Sequence, residues 1–233
     1  MEKGDFCFKQ FAVRQDRCAM KVGTDGVLLG AWALCSAESD ILDIGAGTGL
    51  LALMVAQRFP LSRVTALELD ADAALQAAEN VSRSPFADRI RVVQGDVRDF
   101  QGRWGCIVCN PPFFSEDTCS PHDGRHLARS AHSLSFADLW GAVVRLLLPG
   151  GLFNVILPVR EFPDFHHHSL THGFCLIRST EVKTTPNKPP KRLLLTYCMG
   201  EATAEARTTL VLTAPDGGRS KDYQALTEDF YLI

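Results

Sequence analysis

The chain has 233 residues, 46% of them hydrophobic, and a formal net charge of −3; that is enough apolar matter for the core of one α/β domain, with no need of a second. So small a charge excludes a protein that coats nucleic acid through a global basic field, but not one with a local basic patch. No window of about eighteen apolar residues exists to span a bilayer, and the start Met1-Glu2-Lys3-Gly4-Asp5 lacks the apolar run of a secretory signal, so the expectation is a soluble, cytoplasmic protein that does not enter a membrane.

In chain order, residues 6–13 read as short extended structure. Thr24-Asp25 stands where it caps a helix over 26–34. Residues 1–36 thus form an N-terminal extension with a capping helix, ahead of a core over 37–233 in a single domain. Ile41-Leu42-Asp43-Ile44 is a short apolar run ending at glycines, and 50–59 is a helix-length apolar segment stopped by Pro60: strand, turn, helix. Residues 64–68 form the next strand. An Ala-rich helix over 71–83 halts near Pro85, and 90–94 and 106–109 give two more strands. A helix over 136–148 stops at Pro149-Gly150-Gly151, and 152–157 is a further strand. Strands alternating with helices at this spacing imply a parallel, doubly wound sheet.

After Gly173 strand candidates follow one another without long helices between them: 174–180, 193–199 and 208–213. They are expected to close the sheet edge by antiparallel pairing. The link Pro186-Asn187-Lys188-Pro189-Pro190-Lys191-Arg192 must be an exposed loop, because its prolines remove donors and fix φ.

The chain has 8 cysteines, but Cys7, Cys35, Cys106, Cys109, Cys175 and Cys198 lie in apolar stretches, where a thiol packs as a small hydrophobe. Cys106 and Cys109 form a CxxC inside a buried strand, and no second pair completes a zinc site, so no metal is expected. The run His166-His167-His168 reads as a solvated helix face or helix end.

Two constellations carry chemistry. In Asp43-Ile44-Gly45-Ala46-Gly47-Thr48-Gly49 the missing side chains of Gly45, Gly47 and Gly49 let the backbone approach a ligand, and the following helix presents unpaired N–H groups to it. Glu68, at the end of the next strand, is placed to accept from a ribose diol. Leu50 occupies the position of a third glycine, and the anionic Asp43 at the strand tip repels a pyrophosphate but suits a cationic amino-acid end; both point to S-adenosylmethionine rather than a dinucleotide. Asp96, after the third strand, reaches the position of an adenine amino group; its plainer reading is a turn cap for residue 97 onward. Asp70 and Asp72 cap the helix after Glu68.

The second constellation is Asn110-Pro111-Pro112-Phe113. Each proline lacks an N–H and pushes its predecessor toward extended geometry, so the backbone carbonyls are held rigid. The Asn110 oxygen and the Pro111 carbonyl together accept both hydrogens of an exocyclic amino group, and Phe113 offers a face on which a base stacks. A Pro-rich turn after a strand is the alternative.

With these residues in hand, the chain resembles the bacterial tRNA1(Val) adenine-N6 methyltransferases. The resemblance rests on NPPF, on the glycine turn, on the stretch from Lys9-Gln10-Phe11 through Cys18-Ala19-Met20-Lys21-Val22-Gly23-Thr24-Asp25-Gly26, and on the tail Asp229-Phe230-Tyr231-Leu232. It implies a Rossmann-like class I fold whose doubly wound, mostly parallel seven-stranded sheet has an antiparallel C-terminal edge. It further implies S-adenosylmethionine as cofactor and tRNA as partner of a monomer, with adenine 37 methylated beside the anticodon. Thr24 and Asp25 would flank the methionine end of the cofactor, and Asn110 would touch both cofactor and base. Arg178, Lys183, Lys188, Lys191 and Arg192, opposed only by Glu181, read as phosphate contacts or as an ordinary solvated loop, with Lys188, Lys191 and Arg192 the RNA-binding candidates. Arg125, His126 and Arg129 order the NPPF loop, touch RNA or start a surface helix.

Other readings are methylation of a different RNA adenine and protein glutamine N5-methylation. The latter resemblance calls for Tyr in place of Phe113 and for a larger helical domain ahead of the first core strand. A cofactor-binding scaffold without catalysis has no use for an amino-group clamp.

Overall fold

The structure, a computed structural model, describes residues 4–18, 20–111, 134–200 and 204–232. Strand β1 (Phe6–Cys7) pairs antiparallel with β2 (Ala12–Val13). Helix α1 (Thr24–Trp32) follows, then β3 (Ile41–Ile44), α2 (Leu50–Arg58), β4 (Val64–Glu68), α3 (Ala71–Ser82), β5 (Ile90–Gln94) and β6 (Trp104–Cys109). Beyond Pro111 come α4 (Phe136–Leu146), β7 (Leu147–Pro158), α5 (Phe162–Thr171), β8 (Phe174–Lys183), β9 (Arg192–Met199), β10 (Ala206–Val211) and α6 (Lys221–Thr227).

Among the described residues the main sheet has eight strands in the order β10-β8-β9-β7-β6-β3-β4-β5, one more than the expected seven. Strands β3 to β7 are mutually parallel, and β9 runs antiparallel between β7 and β8. The expected antiparallel C-terminal edge is present in the β7–β9 and β8–β9 pairs, while the outermost strand, β10, pairs parallel with β8. Both edges of β9 are already taken, and the last strand joins the outer edge of β8.

Side chains alternate across the sheet as the period of two requires. Ile41, Cys106 and Val108 face a core built with α1 and α2, whereas Leu42, Ile107 and Cys109 face one built with α4. Cys106 and Cys109 therefore point to opposite faces.

Three local readings change. Helix α1 is capped by Gly23 with extended backbone and no side-chain bond, and Asp25 sits in its first turn. Pro149-Gly150-Gly151 lies inside β7, where the register jumps from Trp104↔Leu147 to Cys106↔Leu152 and Gly150 takes φ 74. The one proline and two glycines make a bulge there instead of a helix stop. His166 of the histidine run is half-buried; Phe162 stacks on it at 5.1 Å, and its Nδ1 lies 3.3 Å from the Tyr197 hydroxyl.

The N-terminal extension is a strap tied across the core. Asn80, fully buried on α3, accepts from the Arg14 N–H at 2.8 Å and donates to the carbonyls of Arg14 and Thr48, each at 2.9 Å. Buried Gln76, one turn earlier, accepts from the Arg17 N–H at 2.7 Å and donates to Asp16. At its other end the strap meets the C-terminal tail, where the Lys9 N–H donates to the Phe230 carbonyl at 2.8 Å and Phe8 bridges Tyr231. No helix of the described residues is long and apolar enough to cross a membrane.

Candidate active site

A cleft of about 1400 Å³ opens at the carboxyl ends of β3, β4, β6 and β7, the side of an open α/β sheet where ligands bind. Its floor on one side is the glycine turn. The N–H groups of Gly45 and Ala46 donate to the Leu67 carbonyl at 2.9 and 3.0 Å, folding the turn back over β4. Gly45 and Gly47 have φ of 73 and 53, and a side chain built on either would meet nothing within 4 Å. Both line the cleft, so side chains there would be strained and would occupy ligand space. Gly49, at φ 80, is absent from the lining; a side chain there would come within 3.3 Å of Ala77. Its role in the structure is close packing of the turn on α3.

Glu68 lines the cleft with its carboxylate fixed from both ends: the Gly47 N–H donates to one oxygen at 2.7 Å and the Asp70 N–H to the other at 2.9 Å. Each oxygen keeps a lone pair for a ligand hydroxyl. Asp70 caps α3 by accepting from the Ala73 N–H at 2.9 Å, as its position suggested, while Asp72 falls in the first turn. Asp96 also lines the cleft. It accepts from the Arg98 N–H at 2.9 Å and takes the Arg98 guanidinium on both oxygens, so the turn role and a place at the cleft coexist. Arg145 of α4 secures this turn from behind, donating to the carbonyls of Val97 at 2.7 Å and Arg98 at 3.0 Å.

Asp43 stands apart. It is fully buried beneath the turn and is not part of the lining; one oxygen accepts from the Ala52 N–H of α2 at 3.1 Å, and the other has no hydrogen-bond partner. Burial pushes its carboxyl up to about 8, outweighing that bond.

On the other side of the cleft β6 delivers Asn110 and buried Pro111. A side chain on Gly26 of α1 would lie 3.9 Å from the Asn110 amide nitrogen and 3.1 Å from Leu50, so the Asn110 side chain is shelved against α1 where that helix has no side chain. Pro112, Phe113, Arg125, His126 and Arg129 lie outside the described residues. Thr24 and Asp25 line the cleft at the start of α1, together with Arg17, Cys18, Met20 and Lys21 of the strap.

The basic segment divides. Lys191 and Arg192 line the cleft and Lys188 does not. The Arg192 guanidinium donates to Asp25 at 2.7 Å, joining a residue read as an RNA contact to one read as a cofactor contact. Arg178 is structural: its guanidinium lies 4.1 Å from the centre of the Trp32 ring and donates to the Trp32 carbonyl. Sequence reasoning missed Gln76, Asn80, Arg145 and Arg160. The signal for the first two is a pair of amides one turn apart on the inner face of an Ala-rich helix, where Ala73 and Ala77 are also buried.

Residues 25–135 match the model of the methyltransferase small domain family. Over its whole length the chain is 43% identical to a tRNA1(Val) (adenine(37)-N6)-methyltransferase of Bacteroides fragilis, covering 99% of that protein, and 42% identical to a relative of the same name from Klebsiella pneumoniae, covering 97%. A relative of that name from Dyadobacter fermentans is 47% identical over 82% of this chain and 81% of its own. The chain belongs to the tRNA1(Val) (adenine(37)-N6)-methyltransferase family. The fold of this family member is also that of a predicted O-methyltransferase from Agrobacterium tumefaciens (TM-score 0.71, 19% identity, 88% of this chain and 96% of that one). It is likewise shared with the glycopeptide N-methyltransferase MtfA in complex with S-adenosylmethionine (TM-score 0.55, 18% identity, 77% and 100%). The family-model match spans the glycine turn, Glu68, Asp96 and Asn110, but ends before Arg160, Lys191 and Arg192.

Proposed function

We propose that this protein is an S-adenosylmethionine-dependent methyltransferase acting on N6 of adenine 37 in tRNA1(Val), as a monomer in the cytoplasm, with residues 1–233 forming one domain. The observation that carries the proposal is the meeting, in one cleft, of the open glycine turn and Glu68 with Asn110-Pro111 at the end of the adjacent strand. The open space over Gly45 and Gly47, the paired oxygens of Glu68 and the acid at Asp96 fit a nucleoside. Glu68 accepts from its ribose and Asp96 from its adenine amino group, while Asp25 and Thr24 meet the amino-acid end. S-adenosylmethionine supplies an electrophilic methyl group that needs no further activation.

What remains for the chain is positioning. The Asn110 side-chain oxygen and the Pro111 carbonyl accept the two amino hydrogens of the target adenine, which draws the nitrogen lone pair out of the ring and toward the methyl donor. Pro112 stiffens that clamp, and Phe113 stacks on the base. The glutamine N5-methyltransferase alternative loses support because the described residues between 4 and 40 form a strap and one helix laid on the core, not a separate helical domain.

The test incubates labelled S-adenosylmethionine with tRNA from a strain lacking the enzyme and locates the product by nucleoside mass spectrometry. N6-methyladenosine at position 37 of tRNA1(Val) is the expected result, abolished by Asn110→Ala; no methylated adenine in any tRNA would refute the proposal.

A further inference from the structure

The cleft of about 1400 Å³ exceeds the roughly 300–1,000 Å³ of a site for one small ligand, so it has room for a second occupant beside a nucleoside cofactor. Charge is divided across it. Around the glycine turn the lining acids are Glu68, Asp70, Asp72 and Asp96; of the cations there, Arg98 is bound to Asp96 and Arg17 to Glu79, and Lys21 of the strap also lines the cleft. The β7–β9 side of the lining includes Arg160, Lys191 and Arg192, and Arg192 reaches across to Asp25 at the start of α1. Arg192 is closed on Asp25, and Arg160 and Lys191 are the further lining cations contributed by the β7–β9 side.

Topology puts these two together. Pro158 of β7 is the register partner of Arg192 on β9, and the Val159 N–H donates to the Lys191 carbonyl at 3.3 Å. Arg160 follows in a single 3-10 turn, Val159–Glu161. β7 is in turn the neighbour of β6, with Cys109 paired to Val155, so this rim stands one strand away from the strand that carries Asn110. Among its contacts Arg160 has an exposed pair with adjacent Glu161 at 3.1 Å, of a kind worth little in water.

We propose that Arg160 and Lys191 form a phosphate subsite that holds a backbone phosphate flanking the target nucleotide. The inference rests on the RNA-methylation reading above. A base turned out of its stack remains tied to its two phosphates, and those charges must be received at the mouth of the cleft that takes the base. Arg160 supplies a planar fork matched to phosphate oxygens, and Lys191 supplies a compact charge beside it. The acidic half of the cleft repels the same group, so the pair also sets the direction in which the RNA strand crosses.

The test uses full-length tRNA assembled by ligation with a single uncharged methylphosphonate linkage on either side of the target adenosine, and compares the wild type with the Arg160→Ala/Lys191→Ala variant. For the wild type, neutralising one of the two linkages should lower kcat/KM about tenfold or more, the worth of a charge-assisted bond. The variant should lose a similar factor on the unmodified tRNA and nothing further on the neutralised one, with S-adenosylmethionine affinity unchanged as the check on folding. Losses that multiply, or a variant as active as wild type on unmodified tRNA, would overturn the subsite. A wild-type protein that methylates no tRNA sinks the functional reading and the subsite with it; one that methylates tRNA but ignores both changes sinks the subsite alone.

Discussion

Asp43→Asn should make the protein more stable near neutral pH. The carboxyl is fully buried, and its value is raised from 3.8 to about 8, chiefly by burial. Between those limits the folded state binds more protons than the unfolded chain, so stability falls as pH rises from about 4 to 8 and levels off above. At about 1.4 kcal/mol per pH unit, the burden reaches roughly 4 kcal/mol at pH 7. Asparagine is neutral throughout and keeps an oxygen for the Ala52 N–H, but its amide nitrogen inherits the site of the unpartnered oxygen, at a cost of about 1–3 kcal/mol. The net gain at pH 7 is then about 1–3 kcal/mol, and it shrinks toward zero or reverses at pH 4. Denaturant unfolding of both proteins from pH 4 to 9 measures it. A wild-type-minus-mutant difference that does not change with pH would refute a buried, mostly protonated Asp43.

Glu68→Ala should weaken S-adenosylmethionine about 10–150-fold, the equivalent of 1.5–3 kcal/mol for charge-assisted bonds; unchanged affinity by calorimetry in a folded mutant rules out the ribose role. Gly26→Ala places a methyl group 3.1 Å from Leu50 and 3.9 Å from the Asn110 amide. Its helix propensity gain offsets that contact, so stability should move by less than about 1 kcal/mol, while kcat drops about tenfold as the clamp shifts; wild-type turnover would show that the clamp is not shelved on α1. Asn80→Ala removes the three bonds that tie Arg14 and Thr48 to α3. We expect a loss of about 2–4 kcal/mol in unfolding free energy, with hydrogen exchange accelerated at residues 14–18; protection equal to wild type there would refute the strap's dependence on Asn80.

What could be read from sequence was what is local. The strand–turn–helix around Gly45 and the alternation along β6 follow from periods of two and 3.6 and from glycine and proline, all within a few residues. Asn110 and Glu68 end strands that the pattern located to within a residue or two. What could not be read was what a residue meets at long range. Arg178 and Arg192 look alike in a basic segment, yet one lies on the indole of Trp32 and the other reaches Asp25. Nothing near Arg178 announces a partner so far away in sequence. The pairing of β10 was hidden for a related reason: the strand it joins, β8, is settled by the assembled sheet and by no residue in β10.

The Asp25–Arg192 pair also changes how the basic segment should be tested. Replacing Lys188, Lys191 and Arg192 together removes phosphate-facing charge, but it also strips Asp25 of its cation at the first turn of α1, beside the cofactor half of the cleft. A weaker cofactor or a slower turnover would then follow even if no phosphate ever touched the loop, so the triple change mixes two causes. Lys188 alone reports on the exposed loop, since it is outside the cleft lining, and Lys191 alone reports on the cleft mouth. If RNA contacts run through the mouth, Lys191→Ala should flatten the dependence of RNA affinity on salt by about one phosphate's worth, with Lys188→Ala nearly silent. The opposite ranking would move the RNA off the β7–β9 rim and onto the loop.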